Sequence, residues 1–164
     1  VLRRIGFRVV GWSNSAKTIE GVECFSGRAG LAPFLAKTHI LVCLLPLTVD
    51  TRHILNRGLF ERLARNSPLG GPVLINAGRG GLQVEADILS CLDDGTLRTA
   101  TLDVFETEPL PADSPLWSHP RVVITPHNAA DPDPDAISAY VAEQIARFEA
   151  GEPLQNVVDV TRGY

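Results

Sequence analysis

Short apolar runs of strand length alternate along the chain with stretches whose apolar residues recur at helical spacing. Phe7 to Trp12 (FRVVGW) is apolar and β-branched enough for a strand, and the polar stretch Ser13 to Lys17 follows it at once. Gly21 to Phe25 reads as a second, short strand. Leu31 to Ala36 reads as a short helix with Pro33 in its first turn, where a missing amide is tolerated. Ile40 to Leu45 is continuously apolar and predicts a strand buried on both faces, hence one inside a parallel sheet. Thr48 to Ala64 spaces Ile54, Leu55, Leu59, Phe60 and Leu63 as a helix would, with an interruption around Asn56 to Gly58, so it predicts one broken helix or two short ones. Pro72 to Ala77 is another strand, ending in the turn Gly78-Arg79-Gly80-Gly81. A helix over Glu85 to Asp94 puts Ile88, Leu89 and Leu92 on one face and stops at Gly95. Thr99 to Phe105 and Arg121 to Thr125 are two more strands. The last helix is capped by Asp133 or Asp135, lines Ile137, Val141, Ile145 and Phe148 along one stripe, and stops at Gly151.

Strands alternating with helices predict an α/β domain with a doubly wound parallel sheet. Val1 to Gly6 reads as the tail of a helix running into the first strand, so the chain is expected to start at a cut edge. Asn128 to Asp135 (NAADPDPD) is the linker candidate, because its prolines and acids hold no strand and begin no helix before about Asp133. The expected division is residues 1–130 as the sheet-bearing unit and 131–164 as a terminal helix and tail serving another unit.

Composition narrows the function classes. The 164 residues are 45% apolar and 21% charged, the balance of a globular protein. The longest apolar stretch, Ile40 to Leu47, contains a proline and falls far short of the roughly 20 residues a membrane-spanning helix needs. A net charge of −4 without a basic cluster offers little to a nucleic acid or an acidic membrane. Cys24, Cys43 and Cys91 form no C-x-x-C pair, so neither a disulfide framework nor a metal site is suggested, and a reducing, cytoplasmic compartment fits.

Ligands of open parallel sheets bind beyond the carboxyl ends of the strands. Four polar features fall at such ends: Ser13 and Asn14 with Lys17, Arg79, Asp103 with the later Glu108, and His127. Each taken singly has an ordinary reading as a solvated turn or loop residue. Their joint placement points to a site.

Four segments carry a resemblance: ILVCLLPLTVDTRHILN (Ile40 to Asn56), LINAGRGG (Leu74 to Gly81), LDVFETEPLP (Leu102 to Pro111) and LWSHPRVVITPHNAA (Leu116 to Ala130). They resemble the signature segments of the D-isomer-specific 2-hydroxyacid dehydrogenases, in order and over essentially the whole chain. Within that family, the wording GWS, CLLPLT and the ending EAGEPLQNVVD-x-x-RGY most resemble the glyoxylate/hydroxypyruvate reductase A group.

The resemblance implies a Rossmann-type NAD(P)-binding domain and reduction of a small 2-keto acid to the 2-hydroxy acid. Arg79 matches the substrate-binding arginine, whose guanidinium fork holds a carboxylate in two parallel bonds. His127 matches the catalytic acid/base, and Glu108 its partner, a carboxylate that favours the imidazolium and orients the ring. Asp103 matches the acid at the nicotinamide carboxamide, and Leu45, Pro46 and Ala77 match positions lining the cofactor. Residues 131–164 would return to the substrate domain, and a homodimer is implied for the full-length enzyme.

Cofactor preference follows from charge. NAD selectivity usually comes from an acid at the end of the second strand of the fold. Here Ser13 and Asn14 stand there with Lys17 near and no acid until Glu20, which favours NADP(H) while leaving NAD(H) possible. The chain departs from the group's pattern at Asn14, often arginine; at Asn128, usually aliphatic; and at Asp131, commonly threonine. No G-x-G-x-x-G occurs, although the family carries it just before the point where this chain begins. An amino-terminal truncation is therefore expected, with an exposed apolar cleft where the first strand of the sheet belongs. The competing reading is a catalytically silent fragment or a dinucleotide-sensing interaction module.

Overall fold

The computed structural model describes residues 1–130 and 133–159. Among the described residues six strands run parallel, in two sheets. One pairs β1 (Val10–Ser13) with β2 (Glu23–Ser26), and the other has the order β3 (Ile40–Cys43), β4 (Val73–Asn76), β5 (Thr99–Leu102), β6 (Val122–Ile124). Helices α1 (Gly27–Leu35), α2 (Arg57–Phe60) and α3 (Glu85–Asp93) lie between strands, and α4 (Pro134–Glu149) follows the last one. Parallel neighbours need a crossover, and an intervening α element is the usual means.

The core sits on one face of the larger sheet. Leu41, Leu74, Ala100 and Leu102 point there and pack with Phe60 of α2 and with Ile88 and Leu92 of α3. Each fully buried leucine contributes about 1.5–3 kcal/mol. The opposite face holds Val42, Ile75, Thr101 and Val123, and Val42 is 46% exposed. The expectation that β3 is buried on both faces is thus corrected: α2 and α3 cover the Leu41 and Cys43 side only. Apolarity alone does not tell a strand which of its faces will be covered.

Two helix expectations also change. α1 begins at Gly27 and places Pro33 near its end, so the helix grows directly from β2, with Gly30 packed against Phe25 and Trp12 Nε1 donating to the Gly27 carbonyl at 2.9 Å. Between Thr48 and Ala64 only the single turn α2 is α-helical. Asn56 caps it by accepting from the Leu59 amide at 3.1 Å, and the preceding residues form turns held by Thr48 and Thr51. α3 stops where Gly95 takes φ +80°, a conformation L side chains rarely adopt.

Asp133 caps α4. The apolar stripe of that helix stays uncovered, with Ile137, Val141, Ile145 and Phe148 between 47% and 72% exposed. Tyr140 and Gln144 hydrogen-bond the tail at Gln155 instead. Asp131 and the Arg162-Gly163-Tyr164 ending lie outside the described residues. Among the described residues no helix is long and apolar enough to cross a membrane.

An apolar cleft of about 290 Å³ opens between the unpaired edges of β1 and β3, walled by Val10, Trp12, Leu41, Val42 and Leu55.

Candidate active site

The register of the larger sheet brings three strand ends side by side: Asn76 pairs with Leu102, and Leu102 with Ile124. The turn after β4 carries Arg79, the loop after β5 carries Asp103 and Glu108, and the loop after β6 carries His127.

Glu108 and His127 meet directly. The Nδ1 atom of His127 lies 2.8 Å from Glu108 Oε2. An ionised carboxylate only accepts, so Nδ1 donates and Nε2 is left for another partner. The other carboxylate oxygen, Oε1, accepts from the Phe105 amide at 3.0 Å. That bond, with His127 and the charge of Arg79, outweighs burial and holds the Glu108 carboxyl below its usual value.

Asp103 organises the same loop from beneath. It is 4% exposed; Oδ1 accepts from the Thr125 hydroxyl and from the Asn128 amide at 3.1 Å, and Oδ2 accepts from the Ala129 amide at 3.0 Å. Burial pushes this carboxyl up, but the bonds from Thr125, Ala129 and Asn128 and the nearby His127 together hold it below the usual carboxylate range. These contacts clamp His127, which sits at φ +54°, between two residues tied to one side chain. Asn128 takes part through its amide, which any residue except proline would supply.

Arg79 is exposed, and its guanidinium reaches the Gly78 carbonyl at 2.7 Å. It borders an open cavity of about 650 Å³ together with Leu45, Pro46, Leu47 and Ala77. The turn cannot move far: a side chain on Gly80 would collide with the Phe105 carbonyl. Ser13, Asn14 and Lys17 lie apart, at the carboxyl end of β1, where the Ser13 hydroxyl donates to the Ser15 carbonyl at 2.7 Å.

The family profile described as D-isomer specific 2-hydroxyacid dehydrogenase, NAD binding domain, matches residues 1–129. The chain belongs to this family. Among curated relatives, the glyoxylate/hydroxypyruvate reductase A of Escherichia fergusonii is 47% identical over 97% of the chain and 49% of its own length. That of Serratia proteamaculans is 48% identical over 99% of the chain and 50% of its own length. The chain therefore spans about half the length of the curated relatives it matches. Among solved structures, the NADPH-dependent glyoxylate/hydroxypyruvate reductase of Sinorhizobium meliloti, in complex with NADP and sulfate, superposes with a TM-score of 0.96 at 58% identity, covering 99% of this chain and 51% of that one. A D-isomer specific 2-hydroxyacid dehydrogenase of Xanthobacter autotrophicus, in complex with NADPH, superposes with a TM-score of 0.93 at 45% identity, covering 99% and 65%. The Rossmann-type α/β assignment stands on this agreement.

The structure thus gathers the residues singled out in the sequence into two groups and leaves a third apart. Glu108 hydrogen-bonds His127 while Asp103 holds the residues on either side of that histidine, Arg79 shares a cavity with Leu45, Pro46 and Ala77, and the Ser13 to Lys17 loop stands on the other sheet. Thr125 was passed over in the sequence, and its place at the end of a strand was the available signal.

Proposed function

We propose that residues 1–130 are the cofactor-binding portion of an NADPH-dependent reductase that converts a small 2-keto acid, such as glyoxylate or hydroxypyruvate, to its 2-hydroxy acid. Residues 131–164 return to a substrate domain. The observation that carries this reading is the 2.8 Å contact between Glu108 and His127, on the two strand ends next to the one that carries the solvent-facing Arg79. Support for the domain division comes from the family match over 1–129 and from the uncovered stripe of α4.

In this reading Arg79 binds the substrate carboxylate through its planar fork. Glu108 orients the His127 ring through Nδ1, and Nε2 gives a proton to the ketone oxygen as that oxygen gains negative charge. The cofactor, when bound, supplies the hydride. The residues fit the nicotinamide half of such a group: the cavity beside Arg79 is walled by Leu45, Pro46, Leu47 and Ala77, and in this reading Asp103, at the end of the next strand, faces the carboxamide. Preference for NADP(H) over NAD(H) is supported by Ser13, Asn14 and Lys17 at the end of β1, with no carboxylate there to repel a 2′-phosphate, and by the NADP and NADPH in the relatives from S. meliloti and X. autotrophicus. A homodimer completes the proposal. So does a cytoplasmic location, for which three unpaired cysteines are the support.

The test is oxidation of NADPH and NADH with glyoxylate and hydroxypyruvate, on the 164-residue chain and on one extended to the relatives' length. Turnover by the extended chain that Arg79→Ala or His127→Ala abolishes is expected. An extended chain that binds NADPH and reduces no 2-keto acid would replace this reading with the dinucleotide-sensing module.

A further inference from the structure

We infer that Gln83 is a positioning residue: its side-chain amide sets the spacing between the turn that carries Arg79 and the loop that carries Glu108. The inference rests on the proposed reduction of 2-keto acids.

Gln83 is fully buried, at 0% exposure, just after the short 3₁₀ turn Gly80–Leu82. Its amide reaches in two directions. Oε1 accepts from Asn76 Nδ2 at 2.8 Å, and Nε2 donates to the Val104 carbonyl at 3.0 Å and, at a longer 3.4 Å, to Glu85 Oε1. On the first side, Asn76 Nδ2 also donates to the Arg79 carbonyl at 3.2 Å, and Asn76 Oδ1 accepts from the Gly78 amide at 3.1 Å. On the second side, the residue after Val104 is Phe105, whose amide donates to Glu108 Oε1 at 3.0 Å, and Glu108 Oε2 meets His127 at 2.8 Å. Hydrogen bonds and short backbone links therefore run from the Arg79 carbonyl to the imidazole ring, with Gln83 as the middle member.

A buried primary amide is unfavourable unless its groups are paired, and an apolar side chain of equal volume would fill the same space. Here the two strong bonds go to a residue holding the Arg79 turn and to the backbone of the Glu108 loop. A second, outer clamp joins the same two segments: the Glu85 amide donates to Glu106 Oε1 at 2.9 Å, and the Glu106 amide to Glu85 Oε1 at 2.8 Å. The outer clamp is exposed to water and the Gln83 bridge is not, so the bridge is the part that keeps its geometry as solvent competes. Catalytic groups must be held to within about 0.5 Å. A substrate pinned by Arg79 and protonated by His127 spans both segments, so a shift between them misaims the proton.

The experiment uses a chain of the relatives' length with Gln83→Met, close in volume but without the amide, and Gln83→Glu, which keeps shape and acceptor and loses the donor when ionised. Three quantities are read: kcat per folded molecule with glyoxylate and NADPH, the Kd for NADPH from fluorescence, and hydrogen exchange at the Phe105 and Gly78 amides. Expected are a kcat lowered roughly 10- to 100-fold, an NADPH Kd within twofold of the parent, and faster exchange at Phe105. A kcat within twofold of the parent in whichever variant folds overturns the inference and leaves Gln83 a core residue. If the parent reduces no 2-keto acid, the functional proposal falls by itself, and unchanged exchange at Phe105 then also removes the bridging role.

Discussion

Glu108 holds His127 with one carboxylate oxygen and its own loop with the other: Oε2 faces Nδ1 at 2.8 Å, while Oε1 accepts the Phe105 amide at 3.0 Å. A carboxylate used in both directions orients the ring from a fixed position, because the bond to Phe105 holds Glu108 in place while Asp103 holds the loop that carries the imidazole. The contact is half-exposed in this chain, with side-chain exposures of 46% and 36%. Surface ion pairs of that kind contribute little to stability. Orientation is what this one supplies.

Replacing Glu108 by glutamine keeps the shape and removes the charge. In a chain of the relatives' length, kcat with glyoxylate should fall by roughly 10²-fold, with KM changed little, because the substrate carboxylate is bound elsewhere. An unchanged kcat would remove Glu108 from the mechanism.

The pH dependence has a definite sign. The Glu108 carboxyl is held below its usual 4.5, so its contribution is complete above that value and is lost as pH falls through the lower, folded-state value. Carbon-13 NMR of the Glu108 carboxyl should show a midpoint below 4.5 that moves up in His127→Ala and in Arg79→Ala.

Arg79→Lys keeps the positive charge and loses the planar fork. The KM for glyoxylate should rise about tenfold or more, since one of two parallel charge-assisted bonds disappears. Steady-state kinetics with glyoxylate and NADPH check this, and an unchanged KM would move the carboxylate site away from Arg79.

Gly80→Ala tests the close approach of the two loops. A methyl group at this position overlaps the Phe105 carbonyl, so one segment must withdraw. Overpacking of this kind costs about 1–3 kcal/mol, measurable as a lower midpoint in urea unfolding. Stability equal to the parent's would show that the turn has room to give.

Asp94 provides an acid-stability marker away from the site. Its carboxyl is lowered from 3.8 to about 2 by the bonds from Thr96 and Arg57. The stabilisation is present above 3.8 and is lost as pH falls toward about 2, so Asp94→Ala should flatten the stability profile in that interval. Thermal unfolding at closely spaced pH values between these limits is the check.

Much of this protein was legible in the chain itself. Apolar runs at strand length, Gly95 after a helical stripe and Asp133 ahead of Pro134 are local signals, because propensity, capping and turn conformation depend on near neighbours. The family segments likewise sit at strand ends and can be read in order. Local signals did not show that β3 is covered only on its Leu41 side, since that depends on where α2 and α3 pack. Nor did they place Pro33 at the end of α1 or reduce Thr48 to Ala64 to one helical turn. Gln83 drew no notice as one polar residue among apolar neighbours. Its meaning comes from partners 7 and 21 residues away, and those become neighbours only because the parallel register sets Asn76 beside Leu102. Residue types and their order are properties of the chain, whereas a hydrogen bond between two strand ends exists only after the sheet has fixed their spacing.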